Sequence, residues 1–199
     1  MDPTSIRYLA LGDSVTIGTG TSPEKAFPAV LAARWRTAGQ NVELLNPAVN
    51  GYTTDDLIAD ELPLVASYGP DLVTLLIGAN DIVQGTRADR YRSQLARIHE
   101  RLRADAAHAR VIGLPQPDWS LSPAAAGFGD PVVIARTIER FNGLAREEAE
   151  QAGAGWIDLF PLMREQAQRR MFASDGLHPS AEAYAEWARE LSRASVWSP

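Results

Sequence analysis

The chain has 199 residues, 45% of them hydrophobic and 22% charged, with a formal net charge of −6 and no cysteine. That is one domain's length with enough apolar material for a core of its own, so residues 1–199 are read as a single domain. The missing cysteine excludes disulfides, thiolate metal centres and a thiol nucleophile, the acidic balance argues against nucleic acid as a partner, and with Lys25 the only lysine no G-x-x-x-x-G-K-[ST] phosphate loop can be written.

The predicted elements alternate in type. Residues 6–11 form a short apolar run, the first predicted strand. Ser22-Pro23 reads as an N-cap followed by a first-turn proline, and Phe27, Leu31 and Trp35 recur at helical spacing. Residues 42–49 are the second predicted strand. A helix begins near Thr54 and should end or kink at Pro63. Residues 71–77 are the third strand, followed by a helix with Tyr91, Leu95, Ile98 and Leu102 on one face. Residues 110–114 are the fourth. The segment 116–131 has no period and carries three prolines; such lengths are either binding loops or lids, or plain surface loops. A helix with Ile134, Ile138, Phe141 and Ala145 on one stripe, a fifth strand over 155–159 and a helix carrying Tyr184, Ala188 and Leu191 complete the chain.

Alternating β and α segments predict an α/β fold: a five-stranded parallel sheet in a three-layer α/β/α arrangement of flavodoxin-like order. No run reaches the ~18 apolar residues of a membrane span, so no stable membrane insertion is expected. The first residues carry no basic segment followed by an apolar one. A cytoplasmic location is the expectation, and a secreted form that has lost its signal stays open.

Open parallel sheets bind ligands beyond the carboxyl ends of their strands. The residues after each predicted strand are Gly12-Asp13-Ser14, Asn50-Gly51-Tyr52, Gly78-Ala79-Asn80-Asp81, the long loop, and Ser174 to Pro179. Topology alone therefore gathers a hydroxyl, a glycine, a side-chain amide and an acid–histidine pair on one rim. His99 and His108 lie in or near an arginine-rich helix end and read as solvated. His178 stands before Pro179, which disfavours helix there, and three residues after Asp175. A carboxylate at that spacing reaches Nδ1–H and leaves Nε2 to accept a proton, although D-x-x-H also describes an ordinary polar turn. A serine hydroxyl needs such a base to become a nucleophile, and Ser14 is the candidate. Donors for a developing oxyanion are the amides of Ser14 and Gly51 and the Asn80 side chain. Read singly, Gly51 is equally a turn glycine and Asn80 a helix cap. Asp13 takes part in the Ser14 turn without an assigned chemical role. The elbow G-x-S-x-G is absent, since the chain reads G-D-S-V-T, and Gly18-Thr19-Gly20 does not complete a dinucleotide fingerprint.

In order and spacing, G-D-S near the start, the glycine after the second strand, G-A-N-D after the third and D-G-L-H-P near the end resemble the four blocks of the SGNH hydrolases, the GDSL-type esterase and lipase superfamily. The resemblance runs from Gly12 to His178. It departs at Val15, where the family often has leucine, and at Tyr52, where some relatives have a small or acidic residue. It implies the SGNH-hydrolase fold and hydrolysis of carboxylic esters, thioesters or lysophospholipids through an acyl-enzyme, without metal or other cofactor. It implies Ser14 as nucleophile, His178 as base, Asp175 as orienting acid, and Ser14, Gly51 and Asn80 as the oxyanion hole. The partner expected is a small-molecule ester. Ile82, Val83, Trp119, Phe128 and Leu177 are candidates for an acyl pocket, or anchors of the long loop. Two alternatives remain: a divalent metal held by Asp13, Asp81, Asp175 and His178 for phosphoester hydrolysis, and a binding module without catalysis.

Overall fold

The computed structural model describes residues 5–194. Its strands are β1 (Ile6–Gly12), β2 (Val42–Leu45), β3 (Leu72–Leu76), β4 (Arg110–Gly113) and β5 (Gly155–Trp156). All pair in parallel, in the order β2-β1-β3-β4-β5. The helices are α1 (Ser14–Ile17), α2 (Phe27–Thr37), α3 (Thr54–Asp56), α4 (Pro63–Tyr68), α5 (Ala79–Val83), α6 (Ala88–Asp105), α7 (Pro131–Gln151), α8 (Phe160–Gln168) and α9 (Ala181–Arg193). This is the expected five-stranded α/β/α arrangement. The chain leaves β1 toward β2 on one side and returns to β3 on the other, so the strand order reverses between β1 and β3. That switch point is where such sheets open a crevice. Gly12 lies opposite Leu76 in the β1–β3 register, so Ser14 and Asn80 both emerge at the crevice.

Strand alternation divides β1 between two cores. Tyr8 and Ala10 pack with Phe27, Leu31, Trp35, Tyr184, Trp187 and Leu191 from α2 and α9. Leu9 and Leu11 pack with Leu57, Val65, Phe141 and the Tyr91, Leu95, Ile98, Leu102 stripe of α6. Each fully buried leucine, isoleucine, valine or phenylalanine among them contributes about 1.5–3 kcal/mol. The long amphipathic helices therefore clamp the sheet from both faces and hold its carboxyl rim still.

Several elements differ from their expectation, each for a physical reason. The second strand stops at Leu45 rather than 49, because Asn46 turns aside to donate to Thr16 O at 3.0 Å and Pro47 has no N–H for the ladder. The fifth strand is confined to Gly155–Trp156, as suits a short sheet edge. The helix from Thr54 is interrupted before Pro63, as expected, but not by the proline alone. It widens into a π turn over Leu57–Glu61, with Leu62 N–H bonded to Leu57 O at 3.0 Å, and α4 then starts at Pro63. Ser22-Pro23 opens only a 3-10 turn, Pro23–Lys25, without a side-chain cap, and α2 starts at Phe27.

His99 is not solvated. It is 5% exposed on the inner side of α6, and burial, with Arg103 adding, lowers its pKa to about 4. Segment 116–131 is packed down. The Gln116 backbone and the Asn142 amide exchange hydrogen bonds of 2.9 and 3.0 Å, Ala124 N–H reaches Gly176 O at 3.1 Å, and buried Asp118 lies 3.3 Å from Arg164. Trp119 forms a third small core with Ile134 and Ile138. No helix among the described residues is long and apolar enough to cross a membrane.

Candidate active site

The first turn of the site is shaped by close approach. A Cβ on Gly12 would stand 2.2 Å from Leu76 O and 2.3 Å from Thr16 Oγ1, so only glycine fits there. Asp13 caps α1, its carboxylate accepting from Val15 N–H at 3.0 Å. It is fully buried, and burial, reinforced by Asp81, raises its pKa to about 7 against the pull of the Val15, Gly78 and Ala79 amides. Ser14 is the first residue of α1, where a helix leaves its N–H without an intrahelical partner. The side chain is tucked in, with 6% of the residue exposed.

The second and third turns lock onto each other. Buried Asp81 accepts from Thr54 N–H at 2.9 Å and from Thr54 Oγ1 at 2.7 Å, fixing the Gly51 loop on α5. Asn80 Nδ2 donates to Tyr52 O at 2.9 Å, which fixes the amide and leaves its other N–H to point elsewhere. Gly51, between these ties, has φ of +92° with nothing within 4 Å of a built Cβ. Its conformation, rather than crowding, calls for glycine.

The last turn largely holds itself. Asp175 Oδ1 accepts from Leu177 N–H at 2.9 Å and His178 N–H at 3.0 Å, while Oδ2 faces His178 Nδ1 at 2.7 Å. Ala173 N–H bonds His178 O at 2.7 Å, and a bridge joins Phe172 to Pro179. Partial burial pushes the Asp175 carboxyl up, but the Leu177 amide and then the His178 ring and amide outweigh it and hold the pKa below its ordinary value. A carboxylate in that state keeps the proton on Nδ1 and leaves Nε2 as the acceptor.

Ser14 and His178 line one cavity of about 310 Å³. Asn50 and Asn80 contribute polar groups to its wall, and Val15, Ala79, Val83, Trp119, Phe128 and Leu177 make it mostly apolar. Four of the five candidate pocket residues are therefore in the lining. Ile82 is not: Ala79 and Val83, one helical turn apart, face the cavity, and Ile82 packs into the second and third cores. Gly51 also stays off the wall, where its neighbour Asn50 stands. Sequence reasoning missed Val15, Asn50, Ala79, Pro117 and Pro179 as lining residues, although each sits in or beside a segment on the rim. The Trp119 and Phe128 rings meet edge to face with centroids 5.7 Å apart.

Two more open grooves of about 650 Å³ lie elsewhere, one between residues 86–89 and α7, the other around His99 and His108 at the amino ends of β4 and β5. Neither brings a hydroxyl and a histidine together. Among the described residues, no group of three or more histidine and carboxylate side chains is disposed to hold a metal ion. Asp13 and Asp81 are turned toward backbone amides instead.

The class of the protein follows from the sheet and its relatives: a five-stranded parallel sheet with helices on both faces is the fold of the SGNH hydrolases. A solved structure of TesA, 25% identical in sequence, superposes with a TM-score of 0.75 over 93% of this chain and 95% of that one. The chain belongs to the GDSL-like lipase/acylhydrolase family, whose model matches residues 10–186. It is similar to Esterase TesA of Pseudomonas aeruginosa, 25% identical over 88% of this chain and 80% of that protein. It is likewise similar to an arylesterase of Vibrio mimicus, 26% identical over 94% and 86% of the two chains. The protein is thus a hydrolase of the GDSL carboxylic-ester type.

Proposed function

We propose that the protein is a serine esterase acting through Ser14, His178 and Asp175 and a covalent acyl-enzyme. One observation carries this reading: His178 Nδ1 sits 2.7 Å from Asp175 Oδ2 in a turn that opens on the same cavity as Ser14. In the first step His178 Nε2 takes the Ser14 proton while Oγ attacks the ester carbonyl. The carbonyl oxygen becomes an oxyanion, held by the Ser14 amide and the free N–H of Asn80, with the Gly51 amide, next to the wall residue Asn50, as the third donor. The tetrahedral adduct collapses, and His178 gives its proton to the departing alcohol or thiol. Water then repeats the sequence on the acyl-serine, releasing the acid and restoring Ser14. Asp175 stays ionised throughout and keeps the imidazole in its working tautomer.

The wall of Val83, Trp119, Phe128 and Leu177 supports a short or medium acyl chain on an ester or thioester, because apolar lining rewards burial of methylenes by about 0.8 kcal/mol each. The test is a series of p-nitrophenyl esters and thioesters of graded chain length, run on the wild type and on Ser14→Ala. Turnover by the wild type that is lost in the folded variant is the expected result. Equal turnover by the variant overturns the mechanism.

A further inference from the structure

Behind the Ser14 turn, on the side away from the cavity, lies a carboxyl group the mechanism does not use. Glu61 ends the π turn Leu57–Glu61 and is 1% exposed. A π turn carries one residue more than an α turn, and such turns recur at functional sites. Leu57, Glu61, Leu62 and Val65 all face inward, which puts an acid on an otherwise apolar stripe. Its Oε2 accepts from Gly12 N–H at 3.0 Å, across 49 residues of chain. Gly12 is the crowded glycine, two residues before Ser14, with no room to shift toward Leu76 or Thr16. Glu61 Oε1, like Asp13 Oδ2 next along the turn, is buried without a hydrogen-bond partner among the described residues.

From this geometry we infer that Glu61 is a positioning residue that fixes the nucleophile turn through Gly12. The inference rests on Ser14 being the nucleophile. The bond from Gly12 N–H sets the direction in which β1 delivers Asp13 and Ser14, so it sets where the Ser14 Oγ and amide stand relative to the cavity. The charged groups acting on Glu61 are both acids: Asp13 from the β1–α1 turn and Asp60 from its own π turn. Asp13 is in turn acted on by Asp81 of α5, and Tyr184 of α9 faces Asp13 and Asp175. No group in this set supplies a positive charge. Burial first, then Asp13 and Asp60, hold the Glu61 pKa up at about 8 against the Gly12 amide. Ionising it adds a negative charge behind the donors that must stabilise an oxyanion, which works against the transition state.

The test is the pH dependence of kcat and KM for p-nitrophenyl acetate in the wild type, Glu61→Gln and Glu61→Leu, together with infrared difference spectra of buried protonated carboxyls near neutral pH. The glutamine side chain still accepts from Gly12 N–H and cannot ionise. Glu61→Gln should keep kcat at neutral pH within about threefold of the wild type. It should also lessen the fall in kcat expected of the wild type above about pH 8, and lose one protonated-carboxyl band. Glu61→Leu should lower kcat by about 10²-fold with KM little changed, the penalty of a displaced catalytic group. If Glu61→Leu does not fold, the profile and spectrum of Glu61→Gln decide. An unchanged alkaline limb in Glu61→Gln, or wild-type kcat in Glu61→Leu, overturns the inference while leaving the esterase reading intact. Absence of ester hydrolysis by the wild type would overturn both.

Discussion

The two turns that present Ser14 and His178 are built in opposite ways. The 175–178 turn carries most of its own bonds: Asp175 bonds Leu177 and His178, and Ala173 bonds His178, with one tie from outside, Ala124 N–H to Gly176 O. The Ser14 turn is held from afar, by Glu61 on Gly12 and by Asn46 on Thr16, with Leu76 closing the space beside it. A turn that carries its own bonds can be altered at one residue and lose only chemistry. A turn whose shape is imposed by distant chain loses stability and chemistry together.

That contrast can be broken by substitution. On the locally bonded side, Asp175→Asn keeps the turn's acceptor but no longer enforces the imidazole tautomer. It should lower kcat by on the order of 10³–10⁴-fold with an unchanged melting temperature; a large loss of stability would show the turn is not self-sufficient. Asn80→Ala removes a proposed oxyanion donor and a tie to Tyr52, and should cost about 10²–10³-fold in kcat, measured under saturating ester. On the imposed side, Gly12→Ala drives a Cβ into the Leu76 carbonyl. It should lower unfolding free energy by about 2 kcal/mol or more. A urea midpoint equal to that of the wild type would mean the close approach is not real.

The same contrast extends to pH. Asp13 and Glu61 bind their protons more tightly folded, with pKa values of about 7 and 8, than at their ordinary values of 3.8 and 4.5. The folded state therefore holds protons that the unfolded chain has released, and the stabilisation is lost as pH rises through 7 and 8. Buried His99, with its pKa lowered to about 4, acts in the other direction: stability falls as the medium is acidified below its ordinary range. Melting temperature should thus fall from about pH 6.5 to 8, and a flat calorimetric profile there contradicts the buried acids. The smallest effect expected is at the cavity wall: Trp119→Ala should shift the preferred acyl length of the p-nitrophenyl series, and an unchanged preference would make Trp119 only an anchor of its loop.

Sequence made the architecture legible where periodicity is strong. The stripes of Phe27 to Trp35 and Tyr91 to Leu102 are buried as their spacing demands, and D-x-x-H gave its own geometry because every atom it needs lies within four residues. Glu61 was legible only as an acid on the Leu57, Leu62, Val65 stripe, at ordinary helical spacing with nothing local to say what it would meet. His99 carried the same kind of signal, one turn after Leu95 and beside Ile98, but the surrounding arginines masked it. The inward turn of Ile82 depends on the packing of α5 against Ile134 and Ile138, which nothing local encodes. The folding of residues 116–131 onto the body depends on Asn142, Arg164 and Gly176, all remote in sequence.

The most direct measurement is mass spectrometry of the intact and digested protein after reaction with a serine-directed phosphonate ester, in the wild type and in His178→Ala. The account predicts a single adduct on the peptide carrying Ser14, formed rapidly in the wild type and far more slowly without the imidazole. An adduct on another residue, or equal rates in the two proteins, would contradict it.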